Sequence, residues 1–123
     1  MQPSASILLV DDEKDFRECV RGLFELHGFH VEEACNGFDA LEMIKDKRYD
    51  AILTDLFMPR MSGKKFIYEA RQIENGRTLI MAMTGSIEDC VWDGVVDLVD
   101  AKIPKPFTDE MIFNFLRPRL SCA

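Results

Sequence analysis

A chain of 123 residues, 47% hydrophobic and 30% charged, is long enough to bury one core and too apolar to stay disordered. Its net charge of -7 disfavours direct binding of nucleic acid or an anionic membrane and makes cations the expected small partners. The four cysteines, Cys19, Cys35, Cys90 and Cys122, show no C-x-x-C spacing and have only His27 and His30 for company, so buried free thiols in a reducing cytoplasm are expected in place of a zinc site.

The chain then alternates strand-like and helix-like patterns. Ile7 to Val10 is a continuous apolar run that Asp11-Asp12 stops, and the following helix places Phe16, Val20, Leu23 and Phe24 inward before Gly28 closes it. A weaker strand covers His30 to Cys35, and Asn36-Gly37 turns into a helix with Ala40, Leu41 and Ile44 inward. The apolar run from Ala51 ends on Asp55, followed by a loop that Pro59 and Gly63 are expected to keep from becoming helix. Lys64 to Asn75 reads as a helix with Phe66, Ile67, Ala70 and Ile73 on one stripe, and Leu79 to Met83 as a strand that ends at Thr84-Gly85. Ile87, Cys90, Val91, Gly94, Val95 and Leu98 repeat at helical spacing and predict a fourth helix. A short edge strand, Ala101 to Ile103, runs into Pro104-Lys105-Pro106, and Thr108 caps a last helix that Pro118 ends. With no signal peptide before Ile7 and no membrane-length apolar run, one cytoplasmic domain over residues 1–123 is expected.

Five β-α units with strands apolar on both faces predict an α/β fold: a doubly wound five-stranded parallel sheet, order 2-1-3-4-5, in a flavodoxin-like three-layer sandwich. Ligands of such sheets bind beyond the carboxyl ends of the strands, where strand order reverses. Asp11 and Asp12, Asp55, Thr84 and Lys105 all follow strands at that end, and the order places the three carboxylates together. Three carboxylates in one cleft repel unless a counterion joins them, and an all-oxygen set favours Mg²⁺ or Mn²⁺. Asp55 is then available as a nucleophile toward a phosphoryl group, with the Lys105 ammonium and the Thr84 hydroxyl to hold its oxygens and Gly85 leaving it room.

Val10-Asp11-Asp12-Glu13, Asp55-Leu56-Phe57-Met58-Pro59 with Gly63, Thr84-Gly85 and Lys105-Pro106-Phe107 together resemble the receiver domain of two-component response regulators. The resemblance implies phosphotransfer from a histidine kinase or phosphotransfer protein to Asp55, and no enzymatic activity beyond the domain's own phosphotransfer and autodephosphorylation. It implies Mg²⁺ held by Asp12, Asp55 and the Phe57 backbone carbonyl, with Asp11 acting through water. It also makes Thr84 the switch hydroxyl and Lys105 the phosphate sensor, with a cis Lys105-Pro106 peptide. The chain departs from the family pattern at Lys102, where many receivers carry an aromatic switch residue, and at Phe57, whose bulk is expected to hinder the attacking water. Trp92, Val96 and Val99 with the apolar last helix read either as extra core or as a docking face for a homodimer or output partner. Two other functions compete: a pseudo-receiver that binds partners without phosphorylation, and a phosphatase of the haloacid-dehalogenase type. The second wants an Asp two residues after its nucleophile, where this chain has Phe57.

Overall fold

The computed structural model describes residues 5–74, 78–86 and 88–120. Five strands form one parallel sheet: β1 (Ser6–Val10), β2 (His30–Ala34), β3 (Ala51–Asp55), β4 (Leu79–Thr84) and β5 (Ala101–Pro104), in the order β2-β1-β3-β4-β5. Among the described residues four α-helices cover it: α1 (Lys14–Leu26), α2 (Gly37–Asp46), α3 (Gly63–Glu74) and α4 (Asp109–Leu116). The predicted fold class and strand order are those observed.

Alternation along the strands sorts the core into two layers, because successive side chains point to opposite faces. Leu8, Val10, Ile52, Ile80 and Ala82 pack with Ala40 and Ile44 of α2 and with Phe66, Ile67 and Ala70 of α3. Ile7, Leu9, Leu53, Met81 and Met83 face the other way, against Val20 and Phe24 of α1 and Ile112, Phe113 and Leu116 of α4. Each large aliphatic or aromatic side chain buried in this way contributes about 1.5–3 kcal/mol. The sheet is held from both sides, so its carboxyl-terminal edge is a rigid platform.

Local signals end the helices as read. Gly28 sits at φ +87°, and the Gly28 and Phe29 amides donate to the Glu25 and Phe24 carbonyls at 3.0 and 3.1 Å. A left-handed residue there suits glycine alone at little cost. Asn36 caps α2 by accepting from the Asp39 amide at 2.9 Å, and Thr108 caps α4 by accepting from Met111.

Four expectations need correction. The predicted fourth helix is a short 3-10 turn, Asp89–Trp92, followed by further turns. Its backbone bonds run from Asp93 to Cys90, Val95 to Trp92 and Leu98 to Val95, each spanning three residues, and Gly94 at φ +84° breaks any α-helical path. Val91 and Val95 are nonetheless buried as the spacing implied, because three-residue turns return side chains to one side almost as an α-helix does. Ile87 lies outside the described residues. Gly63, read as part of a helix-breaking loop, is the first residue of α3. Ile73, assigned to the inner stripe of α3, is 39% exposed in its last turn, and Asn75 lies outside the described residues. Cys19, Cys35 and Cys90 are exposed thiols, not buried ones, and Cys122 lies outside the described residues.

The apolar stripe of Trp92, Val96 and Val99 is therefore not a helix face. Trp92 and Val99 lean on the core while Val96 is 47% exposed, and in α4 Ile112, Phe113 and Leu116 are core residues. Arg71 fastens this region to α3, donating to the Leu98 and Thr78 carbonyls and to the Asp100 carboxylate at 2.6–2.8 Å.

Candidate functional site

The parallel register sets the carboxyl ends of β1, β3 and β4 side by side: Val10 pairs with Thr54 and Asp55 with Met83. Asp55 is thus the last residue of β3, with Asp11 next to it at the first position beyond β1. Strand order reverses between these two strands, which is where a doubly wound sheet opens a crevice. Oxygen atoms of Asp11, Asp12 and Asp55 come within 4.8 Å of one another, Asp12 being exposed and the other two buried.

Asp11 is wholly buried and held at every polar atom. Its amide donates to the Ala34 carbonyl at 3.2 Å, Oδ1 accepts from the Glu13 amide at 2.9 Å and Oδ2 accepts from Lys105 Nζ at 3.1 Å. Arg17 Nη1 donates to its carbonyl at 2.7 Å. Asp55 accepts from the Phe57 amide at Oδ1, 3.0 Å, and from Lys105 Nζ at Oδ2, 2.9 Å. Lys105 therefore bridges two of the three carboxylates. Its ammonium also lies 4.3 Å from the centroid of the Phe16 ring, which meets Phe107 edge to face.

Burial pushes the Asp11 carboxyl above its ordinary pKa, with the Asp55 charge adding to the shift, although the Glu13 amide and Lys105 pull the other way. For Lys105, burial favours the neutral amine, but its bonds to Asp55 and Asp11 together outweigh burial and raise its pKa. The ammonium is firmly charged, and one positive charge faces three carboxylates. An all-oxygen set this close, short of positive charge, fits a hard divalent cation.

Thr84 ends β4 with its side chain buried, its Oγ1 accepting from the Ser86 amide at 3.0 Å. It connects to the cluster through the backbone, its carbonyl taking the Lys105 amide at 2.8 Å. A Cβ added to Gly85 would meet nothing within 4 Å, so space lies open beside Thr84. The Lys105–Pro106 peptide is cis. Phe57 is 56% exposed and touches the cluster through its amide. Lys102, at the position of the usual aromatic, points outward with its ammonium 5.3 Å from the centroid of the Trp92 ring. The structure thus brings Asp11, Asp12, Asp55 and Lys105 together and places Thr84 on the adjoining strand end.

Two contacts at the site are not legible in the sequence. Gly63 fits against β3 so closely that a Cβ would stand 2.1 Å from the Asp55 carbonyl oxygen. Arg17 reaches back to the Asp11 carbonyl across six residues of sequence. Nothing in the sequence distinguishes Arg17 from an ordinary solvated arginine of an amphipathic helix.

Fold and site define a flavodoxin-like α/β domain whose acidic pocket fits a phosphorylation site. Residues 7–117 match the response regulator receiver domain, and the chain belongs to that family. It is 37% identical over 108 residues to a transcriptional regulatory protein, the CpxR homologue of Haemophilus influenzae, covering 85% of this chain and 45% of that protein. It is 33% identical over 120 residues to the response regulator MprA of Mycobacterium ulcerans, covering 95% and 50%. The chain spans about half the length of these relatives. The chemotaxis protein CheY4 of Vibrio cholerae superposes with a TM-score of 0.87 at 28% identity, covering 96% of this chain and all of that one. No helix among the described residues is long and apolar enough to cross a membrane.

Proposed function

We propose that the domain is a phosphorylation-controlled switch that accepts a phosphoryl group on Asp55 from a phosphohistidine of a histidine kinase or phosphotransfer protein. The observation that carries this reading is the Lys105 ammonium bridging Oδ2 of Asp11 and Oδ2 of Asp55 beside a third carboxylate. A purely structural ion pair has no use for the extra acid, and a pseudo-receiver has no use for the whole set.

Asp55 attacks phosphorus with a carboxylate oxygen, the P–N bond of the donor breaks, and the imidazole leaves with the electron pair and takes up a proton. Asp11, Asp12, Asp55 and the Phe57 carbonyl would hold Mg²⁺, which when bound neutralises phosphoryl oxygens. Lys105 gives up its bond to Asp55 as that oxygen becomes esterified and turns to a phosphoryl oxygen. Thr84 Oγ donates to another through the space left open at Gly85. These contacts exist in one state and not the other, so they shift a two-state equilibrium. Moving a ratio of one in a hundred to its inverse needs about 5.5 kcal/mol of differential binding.

The donor has an apolar surface to approach: a groove of about 440 Å³ lined by Phe16, Cys19, Val20, Leu23, Pro106 and Phe107, with Lys105 at its edge. Output runs through the turns of 89–98, β5 and α4, to a homodimer partner or an attached domain, in the cytoplasm and with no other enzymatic activity. Light scattering over a concentration series, with and without a phosphate mimic, separates the dimer from a monomeric switch.

Intact mass after incubation with acetyl phosphate and Mg²⁺ tests the chemistry. Wild type gains about 80 Da, one phosphoryl group, while Asp55→Asn and chelator-treated protein gain nothing. An adduct that survives Asp55→Asn would overturn the assignment, and no adduct with either acetyl phosphate or a phosphohistidine donor would favour the pseudo-receiver. The same assay followed in time reads Phe57: Phe57→Asn is expected to lose its phosphoryl group several-fold faster. Equal rates would show that the ring does not obstruct the attacking water.

A further inference from the structure

We infer that Arg17 is a positioning residue for the cation site, acting through the Asp11–Asp12 peptide. The inference rests on the reading of the acidic cluster as a metal site and adds a residue that touches none of the carboxylates in it.

Arg17 stands one turn into α1 with its side chain only 14% exposed, paired with a Glu33 side chain that is 20% exposed. Its Nε donates to Glu33 Oε1 at 3.0 Å on β2, and its Nη1 donates to the Asp11 carbonyl at 2.7 Å. One planar guanidinium thus ties α1 to the end of β1 and to β2. Its planar, pre-organised fork holds both acceptors in fixed directions, at a smaller loss of side-chain freedom than a flexible ammonium.

The peptide so held joins the two acidic residues. Asp11 is independently fixed by Ala34, Glu13 and Lys105. Asp12 is different: its carboxylate is exposed, and no described residue bonds it. The direction in which Asp12 leaves the backbone is set by the plane of the 11–12 peptide, and Arg17 grips that plane at its oxygen. Residues that orient metal-binding groups without touching the metal typically change affinity by about 10- to 100-fold when removed.

Arg21 provides the internal control. It donates to the other oxygen of Glu33 at 2.8 Å and to Glu25 at 3.2 Å, and it touches neither Asp11 nor Asp12. Arg21 is the more exposed of the two, so if the network merely stabilises the packing of α1 on β2, any difference in Mg²⁺ affinity between the variants follows their difference in melting temperature.

The experiment measures Mg²⁺ affinity of the whole chain by isothermal titration calorimetry, with the melting temperature in chelator taken alongside. Arg17→Met is expected to bind Mg²⁺ about 10- to 100-fold more weakly, whereas Arg21→Met stays within about twofold of wild type. Arg17→Lys, which keeps the charge and can reach one acceptor, should recover part of the loss. If Arg17→Met does not fold, Arg17→Lys against Arg21→Lys makes the same comparison. Equal Mg²⁺ affinity in the Arg17 and Arg21 variants overturns the positioning role. A wild-type chain that binds no Mg²⁺ overturns the metal reading itself, and this inference with it.

Discussion

Gly63→Ala is expected to lower the rate of Asp55 phosphorylation by about two orders of magnitude and to destabilise the domain by at least about 2 kcal/mol. The cause is contact and not conformation. A Cβ at this position would lie 2.1 Å from the Asp55 carbonyl oxygen and 2.5 Å from Leu56 Cα, and both are backbone atoms that no rotamer change can move aside. Gly63 also donates its amide to the Leu56 carbonyl at 2.9 Å, so the start of α3 and the end of β3 are locked in register. Admitting a methyl group requires α3 to back away from the sheet or the end of β3 to shift, and the end of β3 carries the nucleophile. A displacement of about 1 Å at a reacting group is enough for a 100-fold loss. The contrast is Gly22 in the middle of α1, where a Cβ meets nothing within 4 Å. Gly22→Ala should stabilise the chain by roughly 0.5–1 kcal/mol, because glycine is a poor helix residue and no neighbour objects. Melting temperature and phosphorylation time course on the two variants check both statements. A Gly63→Ala protein with wild-type kinetics would show that the strand end tolerates movement.

The contrast between these glycines marks what a sequence can disclose. Strands β1, β3 and β4 are legible because Ile7 to Val10, Ala51 to Leu53 and Leu79 to Met83 are short apolar runs bounded by turn residues, as strands buried on both faces are. The positions of Asp11, Asp55, Thr84 and Lys105 followed from the same pattern, since each ends or follows a strand. The stretch from Val91 to Leu98 misled because burial at intervals of three and four residues satisfies a series of three-residue turns as well as an α-helix. Its valines, at 91, 95 and 96, and Gly94 are weak helix formers, which counts against a helix there. The thiols were placed inside on the habits of cysteine alone, whereas Cys19 lies on the outer side of α1 and Cys35 just beyond the end of β2. Gly63 and Arg17 belong to a third kind. Each acts on residues that are close only after folding, so even the motif that contains Gly63 does not disclose the contact it makes.

Lys105→Met is expected to enlarge the stabilising effect of mild acid at Asp11, and the sign follows from the neighbours of the ammonium. In wild type the Asp11 carboxyl titrates above its ordinary value because of burial, opposed by the Glu13 amide and Lys105. An acid with a raised folded pKa holds more protons in the folded state, so its contribution to stability falls as pH rises from about 4 through the raised value. Lys105 has a raised folded pKa of its own, the bonds to Asp55 and Asp11 outweighing burial. Its contribution is complete below about pH 10.4 and is lost only as pH climbs through the folded value, so it offsets the strain of the carboxylates across the neutral range. Removing the ammonium takes away that offset and leaves Asp11 and Asp55 without their bonds at 3.1 and 2.9 Å. The variant should lose about 2 kcal/mol at pH 7, less than a fully buried pair because Lys105 keeps 19% of its side chain in water. Part of that loss should be recovered as the pH is lowered from 7, because the raised Asp11 carboxyl takes up its proton more readily without Lys105. Mg²⁺ should raise its melting temperature more than that of wild type, since a ligand stabilises the fold it binds more tightly by a larger amount and loss of the ammonium leaves the site more negative. A phosphate mimic should bind it weakly despite that added cation affinity. Melting curves at pH 5 and 7, with chelator and with Mg²⁺, separate these effects. A variant equally stable at both pH values would show that Asp11 does not depend on Lys105 for its charge.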